Sequence, residues 1–408
     1  MSDKIQNTLF AIYDLEVSPC SFDFFQFLLS AELHRKRYNF DSINLIFIPG
    51  SDNGFRKDNL RSYDQNKQFY LNVLIPGAYL MKSVKNVQSL AHRNDIFKLN
   101  LNINNTFPRG YDINKPVADY ILRSVVMARL RKEDPIFFEA PEYALSDVRK
   151  FLNNINTRKK ILTLTVRELE REDNGTRSIN YKAWNKALKE LTNTFIPIVI
   201  RDSNKSFETE TLFEGIKEYS IFSNHIHYRQ ALYELSDINF FKNNGPVILG
   251  LYGRTKAINF NQVDENIVAL SSNWMKQYFG MDKGQLPLTT KNKNNFYGEE
   301  SYKNIVDFAL NDDCEKEKEL LVHDFSNNNE IALSSAIGIS GTIDHLKQSI
   351  FMEDLHLLKI ISFYEKNKVI KMPNLREFLV SLEGKTIPAN TVKNIETMAQ
   401  NTQTTVFH

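Results

Sequence analysis

The stretch KILTLTVRE, Lys160 to Glu168, decides how the chain is read. Its apolar residues are not alternated with charged ones, which marks a strand buried on both faces, the kind found in parallel sheets. Outward from it, the spacing predicts a helix over Ile179 to Leu191, with Trp184, Leu188 and Leu191 on one face, and a strand over Phe195 to Ile200. A short helix over Thr209 to Lys217 and a short strand over Tyr219 to Phe222 follow. Then come a helix over His227 to Leu235, a strand over Asn239 to Phe241, a helix opened by Pro246 and running to Tyr252, and a strand over Lys256 to Phe260. Five strands alternating with helices are the grammar of one doubly wound domain.

Upstream, Thr8 to Asp14 reads as a strand, Ser21 as the cap of a helix running to about Tyr38, and Ser42 to Ile48 as a second strand. Strand, helix, strand with short joints is a βαβ unit, so a second parallel sheet is expected. Val73 to Ile75 and Ile96 to Leu101 read as short strands. A helix lies within Asn114 to Lys132, entered at Pro116. Pro135 to Pro141 reads as a loop or edge segment, and Glu142 to Asn153 as a helix. From Asp312 the pattern changes to helices only, with apolar ones over Met352 to Tyr364 and Leu375 to Leu382, expected to pack back on the N-terminal half. The fold class is therefore α/β: two Rossmann-like domains, 1–150 and 151–310, facing a cleft, with a helical extension over 311–408.

Composition narrows the class. Hydrophobic residues make up 42% and charged residues 25% of the 408, enough to fill cores. A net charge of +2 implies no large single-sign field, so bulk electrostatics does not argue for nucleic acid and no nucleic-acid partner is expected. Two cysteines, Cys20 and Cys314, build neither a disulfide framework nor a zinc site. There is no signal-like N-terminus and no run of about 18 apolar residues, so no transmembrane segment is expected and the chain is placed in the cytoplasm. Nothing in the sequence sets an oligomeric state.

In open α/β sheets ligands bind outside the carboxyl ends of the strands, where the strand order reverses. Arg167 and Glu168 follow the first strand of the second half, on a loop that also carries Arg171 and Arg177. An arginine fork binds phosphate oxygens bidentately, although a solvated charged loop reads the same way. Asp202 follows the next strand, as an acceptor for a ribose or base edge or as a helix cap. His227 and Arg229 follow the third strand end. Asn243, Asn244, Gly245 and Pro246 follow the fourth, where a helix start makes an anion site or an ordinary turn. In the first half, Asp14 and Glu16 are the carboxylates positioned to deprotonate an acceptor hydroxyl, or else local capping partners. His225 and His227 do not match a metal pair, so no metal site is expected.

Several signatures are absent. No Gly-x-Gly-x-x-Gly follows the first strand of either half, and no Walker sequence or Gly-x-Ser-x-Gly elbow occurs. An Asp-x-Asp metal motif is missing as well. The segment Thr163 to Glu168, with Arg177, Ser178, Trp184 and Ile198 to Asp202, resembles the donor-binding half of fucosyltransferase-like glycosyltransferases of the GT-B architecture. The resemblance implies that Arg167 binds the nucleotide diphosphate, and that Tyr233 to Pro246 belongs to the segment receiving the donor phosphates. It departs at Val166, where the family carries a histidine.

The function expected from these residues is metal-independent transfer of a sugar from a nucleotide-diphosphate donor to a glycan or polysaccharide acceptor. No cofactor is expected beyond the nucleotide-sugar substrate. Two alternatives stay open: a sugar-nucleotide epimerase on the same fold, which has no acceptor, and a non-catalytic nucleotide-sugar binding module, which turns nothing over.

Overall fold

The structure is a computed structural model that describes residues 7–57, 61–99, 101–116, 118, 138–155, 158–168, 178–260, 265, 271–272, 293–296 and 300–311. It is α/β, with two separate all-parallel sheets. In the first, β1 (Thr8–Asp14), β2 (Ser42–Ile48), β3 (Val84–Ser89) and β4 (Thr106–Phe107) stand in the order β3-β2-β1-β4. β1 and β2 pair along their whole length, from Thr8 opposite Ser42 to Asp14 opposite Ile48. The crossover between them is α1 (Asp23–Arg37). Ser21 serves its start: its Oγ accepts from Asp23 N at 3.2 Å and donates to Asp23 Oδ2 at 2.8 Å.

The helical stretch after β2 holds α2 (Tyr63–Phe69), a π-helical turn (Tyr70–Leu74) and α3 (Ile75–Ala78). The strand expected over Val73 to Ile75 is therefore helix, with Val73 and Leu74 buried. The strand expected over Ile96 to Leu101 is replaced by a 3₁₀ turn (Arg93–Leu99). The missing strands are β3 and β4, the first an edge strand with only Val84 buried, the second two residues long.

The second sheet follows α4 (Glu142–Asn154). It comprises β5 (Lys160–Thr165), β6 (Phe195–Ile200), β7 (Lys217–Glu218), β8 (Ile238–Lys242), β9 (Ala257–Phe260) and β10 (Lys293–Phe296), in the order β10-β9-β8-β5-β6-β7. The chain runs outward from β5 through β6 to β7, returns to the far side of β5 as β8, and continues to β9 and β10. The order thus reverses between β5 and β8, and in the first sheet between β1 and β4. The connecting helices are α5 (Tyr181–Leu191), α6 (Ser220–Asn224), α7 (Ile226–Leu235), α8 (Val247–Leu251) and, after β10, α9 (Tyr302–Leu310). Two expectations are corrected here. Tyr219 to Phe222 is not a strand but leads into α6, and the helix expected over Thr209 to Lys217 is a turn-rich loop that runs into β7 at Lys217, closed where Glu218 accepts from Leu212 N at 2.5 Å. Most of the helix expected within Asn114 to Lys132, and the extension expected from Asp312, lie outside the described residues.

The chain divides into two compact units. Residues 1–121, 135–264 and 283–321 hold both sheets; of 122–134, 265–282 and 322–408, the structure describes Glu265, Ser271 and Ser272, with Glu265 accepting from Ser272 N at 3.2 Å. Within the first unit the segment Phe138 to Ala140 ties one sheet system to the other. Phe138 N donates to Tyr252 O at 3.1 Å, Glu139 N to Leu80 O at 2.8 Å, and Ala140 N to the Glu234 carboxylate at 2.6 Å. The fully buried Phe138 ring meets Phe25 of α1 edge-on.

The core of the second sheet gathers Leu162, Leu164 and Val166 with Trp184, Leu188, Leu191, Phe240 and Phe260. Beside it lies a buried ion pair, Lys242 Nζ to Glu300 Oε2 at 2.7 Å, the lysine 1% and the glutamate 5% exposed. Glu300 also accepts from the Trp184 indole N–H and from Asn180 N. Removing one partner strands a buried charge, whereas removing both does not. Glu300→Leu is therefore expected to cost about 3–5 kcal/mol in urea unfolding, and the double variant Lys242→Met/Glu300→Leu clearly less. Equal losses from both would contradict the pairing.

Candidate functional site

The carboxyl end of β5 is built by its two neighbours. Register sets Thr165 beside Ile200 of β6 and Phe241 of β8, so Arg167 leaves the sheet between Asp202 and Asn243. Arg167 donates from Nη1 to Asn243 O at 3.0 Å. Asn244 is buried and gives its Nδ2 to Thr165 O and Val166 O, both at 3.2 Å. Asp202 accepts from Glu168 N at 2.9 Å through Oδ2. Five of the residues selected from sequence, Arg167, Glu168, Asp202, Asn243 and Asn244, thus meet at the point where the strand order reverses.

The charges there are unevenly satisfied. Glu168 is taken by Arg201, whose Nη2 reaches Oε1 at 2.7 Å; Arg201 also reaches Glu208 at 2.6 Å and Glu218 at 3.6 Å. Asp202 has no such ion pair among the described residues. Burial pushes its carboxyl up, and the Arg229 and Arg167 charges pull it only partly back. A carboxylate in that state accepts hydrogen bonds from hydroxyl or N–H groups.

The turn after β8 differs from the expected anion cradle. α8 is only five residues long, and Val247 N and Ile248 N already donate to Asn244 O and Gly245 O. So short a helix brings little dipole, and what the turn contributes is its close approach. Gly245 is exposed, and a Cβ on it would stand 2.6 Å from the Phe22 ring, which comes from the start of α1 in the first half. Phe22 is a site neighbour that the sequence did not single out, since an aromatic residue at a helix start reads simply as core.

His227 and Arg229 both lie on α7. His227 is buried between two protein partners: Pro76 O at 2.6 Å from Nε2 and the Tyr143 hydroxyl at 2.5 Å from Nδ1. A carbonyl only accepts, so the proton sits on Nε2 and Nδ1 accepts from Tyr143. Burial holds this imidazole below its ordinary value, in keeping with a neutral ring that links the halves. Arg229 donates to Phe222 O and Ser223 O, each at 2.7 Å. Arg177 and Arg171 lie outside the described residues.

In the first half, Asp14 is 1% exposed and fully engaged. Arg93 holds it bidentately at 2.7 and 2.8 Å, Tyr111 donates its hydroxyl, and Glu16 N donates at 2.9 Å. Burial, followed by the carboxylate beside it, pushes the Tyr111 phenol far up. Glu16 is half-buried and accepts from the Ser51 amide and hydroxyl. Among the described residues no group of three or more His, Cys, Asp or Glu is arranged to hold a metal, and no helix is long and apolar enough to cross a membrane.

No family model matches the chain, and no curated protein does. Solved structures do. A glycosyl transferase family 9 protein from Veillonella parvula is 7% identical, with 63% of this chain and 80% of that chain covered and a TM-score of 0.36. The E. coli heptosyltransferase WaaC with ADP-2-deoxy-2-fluoro heptose is 8% identical, with 76% and 99% covered and a TM-score of 0.37. The wall teichoic acid polymerase TagF is 14% identical, with 88% and 90% covered and a TM-score of 0.32. None of these three is named a fucosyltransferase, and all three scores lie below 0.5, so the site is interpreted from its own geometry.

The contact between Gly245 and Phe22 is directly testable. Gly245→Ala drives a methyl into the ring and is expected to destabilise the protein by about 1–3 kcal/mol, with Phe22→Ala in the same chain relieving part of that loss. Thermal or urea melts of the two single variants and the double variant measure it. Strict additivity would mean that the two residues do not touch.

Proposed function

We propose that this chain is a glycosyltransferase that takes a sugar from a nucleotide-diphosphate donor, with its two Rossmann-like halves in the GT-B arrangement facing a common cleft. The observation that carries the reading is the convergence of Arg167, Asp202, Asn243 and Asn244 at the reversal point between β5 and β8. That is where an open parallel sheet takes its ligand.

In this reading the Arg167 guanidinium bears on the donor diphosphate and stabilises charge developing on the leaving group. Asp202, with its carboxyl pushed up by burial, accepts from hydroxyl or N–H donors of the nucleoside. On the acceptor side the two carboxylates divide their work. Asp14, saturated by Arg93, Tyr111 and Glu16 N, supports the loop after β1. Glu16, half-exposed, is the carboxylate in a position to take a proton from an acceptor hydroxyl. A glycan or polysaccharide acceptor is the partner class, and the fucosyltransferase-like subtype belongs to the same proposal.

A thermal-shift screen with GDP, UDP, ADP and CMP identifies the nucleotide, and calorimetric titration then measures the site. A charged hydrogen bond is worth about 1.5–3 kcal/mol, so Arg167→Ala should weaken the nucleotide by about 10- to 150-fold. Arg149→Ala, exposed on α4, should leave binding unchanged. Stabilisation by none of the four nucleotides, or equal small losses from both variants, would sink the reading.

A further inference from the structure

Arg229 is a buried charged side chain beside this site that no carboxylate bonds directly among the described residues. It is 4% exposed. Its two hydrogen bonds go to neutral carbonyls, Nε to Phe222 O and Nη2 to Ser223 O. The opposite charge that it feels is Asp202, which Arg167 draws on as well. The neighbouring arginine shows the contrast: Arg201 is equally buried and meets three carboxylates.

A buried guanidinium without a counter-charge is costly, and proteins pair such groups or bring them a ligand. The Phe22 ring, with its centroid 5.9 Å from Cζ, offers a weak cation–π contact and no neutralisation. The third guanidinium nitrogen, Nη1, has no hydrogen-bond partner among the described residues. Its two N–H groups are therefore left to donate to an incoming group. The two carbonyl bonds fix the fork rigidly, so little side-chain entropy remains to be lost on binding.

We infer that Arg229 is an anion receptor for phosphate oxygens, held in place by the Phe222 and Ser223 carbonyls and backed by Phe22. Nη1 donates to the oxygens of a phosphate or diphosphate group, and Arg167, which shares with Arg229 its influence on Asp202, adds its charge to the same anion. This inference rests on the nucleotide-sugar reading only for the owner of the phosphate; the receptor itself follows from a buried charge that no carboxylate bonds directly.

The test uses the full chain with inorganic pyrophosphate, and separately GDP, UDP, ADP and CMP, by calorimetry and thermal shift. Pyrophosphate is expected to raise the melting temperature of the wild type. Arg229→Lys, which keeps the charge but loses the fork, should bind it about 10-fold more weakly, and Arg229→Met more weakly still. Where Arg229→Met fails to fold, Arg229→Lys decides alone. Pyrophosphate binding without binding of any nucleotide upholds the receptor and removes the nucleotide-sugar reading. Nucleotide binding that is unchanged in folded Arg229→Lys overturns the receptor and leaves that reading standing. A wild type that binds neither pyrophosphate nor any nucleotide overturns both.

Discussion

β5 ends in a clamp, and the rest of the candidate site hangs from it. Its last carbonyls, Thr165 and Val166, are held by Asn244 Nδ2, the Val166 amide by Ile200 O, the Glu168 amide by Asp202, and the Arg167 side chain by Asn243 O. Strands on both sides therefore fix where Arg167 leaves the sheet. A central parallel strand has its backbone groups paired on both edges, and here the pairing continues past the last ladder bond through side chains. The polar groups that close the clamp are the same ones a ligand would meet.

The first half meets the second through bulk, and Glu139 adds ion pairs to Lys82 and to Arg254. Phe22, at the start of α1, fills the space over Gly245 and lies beside Arg229. Phe138 wedges against Phe25, while the backbone on either side of it bonds to Tyr252 and Leu80. His227 adds a neutral hydrogen bond to Pro76 O. Aromatic residues carry much of this contact.

The sheets were legible in the sequence wherever a strand is buried on both faces: TLFAIYD, SINLIFI, KILTLT, FIPIVI and INFFK all form the strands their apolar runs announce. The failures are short or marginal. VKNVQS shows one buried residue and no apolar run, so β3 left no signal. Tyr219 to Phe222 has too few residues for its period to separate strand from helix, and the chain turns there into α6, leaving the Phe222 and Ser223 carbonyls to Arg229. The candidate site was legible as a position, because strand ends and order reversals follow from the alternation of elements. The pairing of each charge was not. Arg167 with Asn243 O, Asp14 with Arg93 and His227 with Pro76 O join residues 76, 79 and 151 positions apart, and no local pattern specifies such partners.

Amide hydrogen exchange, followed with and without the nucleotide that stabilises the protein most, bears most directly on the claim that ligand binds where β5 and β8 diverge. The account predicts added protection in segments covering Thr165 to Glu168, Arg201 to Ser203 and Asn243 to Val247, with little change around Gly50 to Phe55. Protection confined to Asp14 to Ser18 and Gly50 to Phe55, with the ends of β5 and β8 unchanged, would move the ligand to the first sheet and contradict it.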